Sequence, residues 1–468
     1  MFDGYIRDHA RWTPRAPAVA TPTGPVSYAQ FDADVDRVGG RLMSQGVGPG
    51  SGVVAVAADS GYLQLVAIAA LARLGVPSAP AADPAADLIL TDRPDARKGA
   101  LVIAPDVLQA EPRPLPVLRL DPDAVGRVML SSGTTAIPKR VGMSWRRIEI
   151  GNHATLRTYG AGKTGTYVPV TGVDTLLGFG QAVCAWSCGG AVAAGFTLAD
   201  LPAGLETLPP GVVGLTPRQL RALLDVLPAG FRAQPQWRLC VAGALLPLPL
   251  AREAMARLTP DVRIIYGSTE CSLIAVGHAA GLEDHPGQVG ITPAGAVVEL
   301  VDDQGRPVPE GETGEIRITS ERMTHGYLGD PAATAERFRD GWFHTRDLGR
   351  RLPDGRLVLE GRADDRLNLI GGAKVMPQQV EAAAFACEGV LDCAAFAVPD
   401  AADGFDRCWL AVVAVPGFDR DGLAAHLARR PDLPAPGLAW IDEIPRNAMG
   451  KVERTKLRDL LLAALQSP

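Results

Sequence analysis

Residues Val128-Met129-Leu130-Ser131-Ser132-Gly133-Thr134-Thr135-Ala136-Ile137-Pro138-Lys139 decide how this chain is read. An apolar run that ends in hydroxyls around a glycine is a strand entering a turn that wraps phosphate oxygens. Glycine lets the backbone come close, Ser and Thr add donors, and Lys139 supplies positive charge. No Gly-Lys-Ser/Thr closes the segment, so it is not the P-loop pattern. Taken alone, the same residues also read as a polar surface loop.

The flanking sequence alternates short strands with helices. Ser27 precedes a helix over Tyr28–Gln45 in which Phe31, Val35, Val38 and Leu42 recur at helical spacing, and Gly46 stands where a helix ends. Val53–Ala57 reads as a buried strand, and Ser60 opens an apolar helix that stops before Gly75. The rhythm continues at Leu88–Leu90, Leu101–Ile103, Val212–Leu215 and Arg263–Tyr266, which predicts mostly parallel sheets covered by helices. From Val297 to Leu359 the texture is that of antiparallel sheet, with Asp-Asp-Gln-Gly and Pro-Asp-Gly turns. Beyond Gly361-Arg362 the content is that of a small α+β unit. The fold class expected is therefore α/β: a large N-terminal domain, residues 1–361, of two α/β subdomains and a β subdomain, then a small α+β domain, residues 362–468.

Composition bounds the function. Hydrophobic residues at 47% and charged ones at 21% of 468 residues exclude global disorder. A formal net charge of −6 lacks the footprint of a nucleic-acid binder. Seven cysteines without a Cys-x-x-Cys pair read as reduced thiols. With no signal pattern and no apolar run long enough to span a bilayer, the expectation is a cytoplasmic, membrane-free protein, monomer or homodimer.

Four further segments carry chemistry. Tyr266-Gly267-Ser268-Thr269-Glu270 follows a strand and sets a carboxylate beside hydroxyls, suited to a hard divalent ion that bridges phosphates. Tyr266 offers a flat face to a base. Gly341–Gly349 reads as a glycine-bounded turn whose Asp347 accepts ribose hydroxyls, with His344 as a turn residue and not a base. Gly361-Arg362-Ala363-Asp364-Asp365 leads to Gly371-Gly372, and Met449-Gly450-Lys451 presents an ammonium after a glycine.

In this order, the five segments resemble the adenylate-forming superfamily of acyl- and aryl-CoA synthetases, peptide-synthetase adenylation domains and luciferases. The resemblance implies roles residue by residue. Ser131, Ser132, Gly133, Thr134, Thr135 and Lys139 would hold the ATP β- and γ-phosphates, while Gly243-Ala244 would line the adenine and substrate pocket beside Tyr266 and Gly267. Thr269 would contact phosphate, Glu270 would bind Mg²⁺, and Asp347 with Arg362 would hold the ribose. Asp364 would be the hinge of a C-terminal lid, and Lys451 would bridge the carboxylate and the α-phosphate. Gly371 would let a pantetheine arm pass. Thr175, Phe179, Ala242 and Leu273, with Val170, Leu177 and Ala244, would form a mostly apolar acid pocket.

The cofactors implied are ATP, Mg²⁺ and CoA, or the phosphopantetheine of a carrier protein. The reaction implied is activation of an aryl or medium acyl acid to its adenylate, then transfer to CoA. A carrier protein acting in trans, or an amine, is the alternative acceptor, and a non-enzymatic nucleotide-binding relative is a third reading. Three departures stand out. Arg346 replaces the usual glycine before Asp347, Ala136 replaces the second loop glycine, and Thr175 occupies the place of a histidine common in CoA ligases. Asp174 beside it is a candidate for recognising an amino group.

Overall fold

The computed structural model describes residues 2–93, 100–131, 138–159, 165–365, 367–368, 374–399, 406–430, 433–446 and 452–466. Its first α/β layer is a six-stranded sheet, ordered Leu101–Val102, Leu88–Thr91, Val54–Ala57, Ser78–Pro80, Val125–Ser131, Lys139–Ser144. All neighbours are parallel except the last two, which run antiparallel, with Ser131 opposite Lys139. A second, eight-stranded sheet runs Ser272–His278, Val262–Ser268, Arg238–Ala242, Val212–Leu215, Thr166–Pro169, Ala191–Ala193, Pro17–Thr21, Gly24–Ser27. Its interior pairs are parallel and its two outermost pairs antiparallel.

The expected helix starts hold. Ser27 accepts from the amide of Gln30 at the head of Tyr28–Ser44, and Ser60 accepts from that of Leu63 at the head of Gly61–Arg73. The second helix is buried from Leu65 to Arg73 because it lies inside the molecule. Its one charge, Arg73, is satisfied by Asp3, Asp32 and Asp36 at 2.7, 2.5 and 2.8 Å. These pairs tie the first three helices together, and removing one partner of such a buried pair costs about 3–5 kcal/mol. Aromatic rings of Phe2, Phe31, Phe179 and Trp186 pack in the same core.

The third layer is antiparallel, as its turns predicted: Gln288–Gly290, Leu357–Arg362, Trp342–Arg351, Gly314–Ser320, Ala296–Val301. Past residue 366, Val390–Pro399, Asp406–Ala414 and Gly437–Trp440 form a three-stranded sheet covered by the helices Pro377–Phe385, Arg420–Ala428 and Arg454–Gln466. Among the described residues, its buried clusters share no side chain with those of the first 359 residues. Five of the seven cysteines are buried and all are free thiols. Among the described residues no helix is long and apolar enough to cross a membrane.

Candidate active site

Strands of a parallel sheet end together, so the residues just past their carboxyl ends share one crevice. Here that crevice opens into a cleft of about 2290 Å³ between the sheets and the C-terminal unit. Ser131, Lys139, Ala242, Gly243, Ala244, Tyr266, Gly267, Thr269, Glu270, Leu273, Asp347 and Arg362 all line it, residues from across 232 positions of chain. Gly267 is required by packing: a Cβ there would stand 2.4 Å from the carbonyl oxygen of Ser272.

On one side of the cleft the Tyr266 hydroxyl donates to Asp347 Oδ2 at 2.6 Å, and an Arg362 Nη1 lies 3.4 Å from Oδ1. Burial first, and the Asp347 charge second, push the phenol well above its ordinary pKa, so it remains a donor. The resemblance expects Asp347 to accept ribose hydroxyls, and its carboxylate lines the cleft between Tyr266 and Arg362. Its position is set by its own strand. Thr345 Oγ1 donates to the Ile316 carbonyl and accepts from the Asp347 amide, at 2.7 and 3.0 Å. Arg346 between them has φ 64°, a conformation that favours glycine.

On the other side Glu270 is 7% exposed, and its Oε1 accepts from the Tyr327 hydroxyl at 2.9 Å. The Tyr327 ring carries Lys139 Nζ on its face, 4.9 Å from the centroid. The buried guanidinium of Arg147 donates to the carbonyls of Thr269, at 2.6 Å, and Arg322. Burial lowers its pKa to about 10, so it keeps its charge at neutral pH. Among the described residues no group of three His, Cys, Asp or Glu side chains gathers to hold a metal. Glu270, whose Oε2 has no hydrogen-bond partner among the described residues, suits Mg²⁺, which takes one or two carboxylates and completes its shell with phosphates and water. The residues present fit that ion.

A family model described as AMP-binding enzyme matches residues 78–328, more than half of the chain. The chain belongs to the AMP-binding enzyme family. A 3-hydroxybenzoate–CoA ligase of Aromatoleum sp. (strain CIB) is 28% identical over 511 residues, covering 96% of this chain and 94% of the relative. A sulfoacetate–CoA ligase of Cupriavidus necator is 31% identical over 385 residues, covering 79% of this chain and 72% of the relative. In fold, the ATP-bound MatB of Rhodopseudomonas palustris superposes with a TM-score of 0.85 at 23% identity, over 98% of this chain and 99% of that one.

Some expected site residues of this AMP-binding enzyme stand elsewhere. Phe179 does not line the cleft: it is 2% exposed in the core, edge-on to Phe2 and under the guanidinium of Arg127. Thr175 lines the cleft, but its hydroxyl caps the helix Leu176–Ser187, accepting from Gly178 N at 3.1 Å and donating to the Gly172 carbonyl at 2.9 Å. Asp174, the candidate for recognising an amino group, does not line the cleft; it lies 3.4 Å from buried Arg127 and 3.3 Å from Gln64. His344 sits inside the strand Trp342–Arg351, not in a turn, with Nδ1 3.7 Å from Glu315. Val170 borders a smaller, separate cavity. Asp364 belongs to the short turn Ala363–Asp365. Ser132, Gly133, Thr134, Thr135, Gly371 and Lys451 lie outside the described residues. Sequence reasoning missed Tyr327, Arg147 and Arg337, the last of which lines the cleft and donates to the carbonyls of His344 and Thr345. Glu270 lies 57 residues from Tyr327, and Thr269 and Arg322 lie farther still from Arg147, so no local pattern marks those two.

Proposed function

We propose that this AMP-binding enzyme activates a carboxylic acid, aryl or medium acyl, with ATP and passes the acyl group to the thiol of CoA. The observation that carries the reading is the pairing, in one cleft, of an Asp347 carboxylate held for a ribose with a Glu270 carboxylate and Lys139 held for phosphates. The acid's carboxylate oxygen attacks the α-phosphorus and pyrophosphate leaves. The thiol sulfur then attacks the acyl carbon and AMP leaves. Both attacker and target are anionic in the first step, so the site must supply positive charge. A Mg²⁺ ion bound at Glu270 would screen that repulsion and align the leaving group. Lys139 would hold the terminal phosphates, and Lys451 the oxygens at the reacting centre. Residues 362–468 would act as the lid that turns about Asp364 between the two steps. The CoA–ligase names of full-length relatives support CoA as the acceptor.

A second acceptor, a carrier-protein phosphopantetheine or an amine, is favoured by Thr175, whose hydroxyl is spent on a helix cap where many CoA ligases place a histidine. The acid pocket supports an uncharged acyl group: Leu176, Leu177, Ala242 and Leu273 face the cleft with Thr155 and Ser272.

Acid-dependent ATP–pyrophosphate exchange tests the first step over a panel of aryl, short and medium acyl acids. Exchange with at least one class is expected; none across the panel would refute the enzymatic reading. Adding CoA should then release AMP and yield a thioester. Product only with carrier protein or amine would replace the acceptor and leave the adenylation intact.

A further inference from the structure

Tyr327 stands at the junction of two segments the sequence pattern marked, though nothing in its own neighbourhood marked it. Its hydroxyl donates to Glu270 Oε1 at 2.9 Å while its ring face lies under Lys139 Nζ at 4.9 Å. Tyrosine can do both because its ring face attracts a cation and its hydroxyl gives a hydrogen bond to an anion. The ring has little freedom of its own. Phe338 packs edge-on at 5.5 Å, the Tyr327 amide donates to Thr334 Oγ1 at 2.9 Å, and the backbone bridges to Val141 on the Lys139 strand. The side chain is 7% exposed and lines the cleft.

We propose that Tyr327 is a positioning residue for the triphosphate and its cation. It holds one oxygen of Glu270, which leaves the other for a divalent ion, and it holds Lys139 on its ring face at a set distance from that carboxylate. This rests on the reading of Glu270 as the cation ligand. A carboxylate whose rotamer is already set loses less entropy when it takes the ion, so cation and nucleotide bind together more tightly.

The test is calorimetric titration of ATP into the full chain, with Mg²⁺ and separately with EDTA, for wild type, Tyr327→Phe, Tyr327→Leu, Glu270→Gln and the Tyr327→Phe/Glu270→Gln pair. The readout is the gain in ATP affinity that Mg²⁺ confers. Tyr327→Phe keeps the ring under Lys139, so ATP affinity in EDTA should stay as in wild type while the Mg²⁺ gain falls about tenfold, the size of one hydrogen bond to a charged group. Tyr327→Leu should weaken ATP in EDTA as well. Glu270→Gln should remove the Mg²⁺ gain, and adding Tyr327→Phe to it should cost nothing further. An undiminished Mg²⁺ gain in Tyr327→Phe, or an extra loss in the double variant, would overturn the proposal while leaving Glu270 as the ligand. A full gain in Glu270→Gln would refute the ligand assignment and the proposal with it. Tyr327→Phe and Glu270→Gln remove little volume, so they carry the test even if Tyr327→Leu does not fold.

Discussion

Gly180 shows how one missing side chain can set what a site accepts. It sits in the helix Leu176–Ser187 and lines the cleft, and a Cβ built there meets no atom within 4 Å. Glycine inside a helix costs about 0.5–1 kcal/mol relative to alanine. Gly180→Ala should therefore raise the thermal midpoint in the absence of ligand. Gly180→Leu should fill the space, raising KM for aryl acids at least about tenfold while short acyl acids keep theirs, as read by pyrophosphate exchange over the acid panel. An equal change for every acid would show that Gly180 faces no part of the acyl group. Arg346 makes the complementary point. The resemblance expected glycine there, and the φ of 64° shows the reason, since the strand needs that twist to aim Asp347 at Tyr266.

Among the elements, the strand Trp342–Arg351 was the hardest to read and the parallel strands the easiest. Runs such as Val53–Ala57 are buried on both faces and bounded by turn residues, so composition alone reveals them. In Trp342–Arg351 the positive φ at Arg346 and a register shift between Leu348 and Gly349 break the alternation that identifies a strand. Its flanking glycines instead read as a turn, with His344 inside it. The helix Leu176–Ser187 has no counterpart in the sequence reading, and without its rotation the acid pocket takes in Phe179, which is buried in the core, while Leu176, Leu177 and Gly180 line the cleft. Motif residues were legible because phosphate and ribose chemistry demands particular side chains at strand ends. Tyr327, 57 residues from Glu270, follows from tertiary packing alone. The strand itself predicts a pH effect. Burial foremost, then Arg339, lowers the His344 pKa below its ordinary value of 6.5, with Glu315 opposing. The unfolded chain then takes up a proton before the folded one does, so stability is full above about pH 6.5 and is lost as pH falls through the folded value. The thermal midpoint should drop between about pH 7 and pH 5, and His344→Gln should flatten that drop. An identical slope in the variant would place the acid sensitivity elsewhere.

At the scale of the whole molecule, the question is which step the described arrangement serves. Of the C-terminal unit, Arg446, Val452, Arg454 and Lys456 line the cleft, and Arg446 bridges Val452 backbone to backbone. In the sequence the lysine that the resemblance assigns to adenylation, Lys451, falls between Arg446 and Val452, two of these residues. One of the contacts between this unit and the rest of the molecule is weak. The ion pair Arg218–Glu443 spans 3.8 Å between side chains that are 57% and 81% exposed, and exposed pairs contribute about 0–1 kcal/mol and less in salt. This unit has its own buried clusters, and the proposed function has it turn as a body between the two steps. Lys451→Ala should then abolish acid-dependent pyrophosphate exchange, where the lysine would neutralise charge at the α-phosphorus, yet leave thioester formation from synthetic acyl-adenylate and CoA near the wild-type rate. If the lid serves both steps in a single orientation, that lysine stays at the reacting centre throughout, and both rates must fall together. Measuring the two half-reactions on the one variant therefore decides between a lid that turns and a lid that only closes.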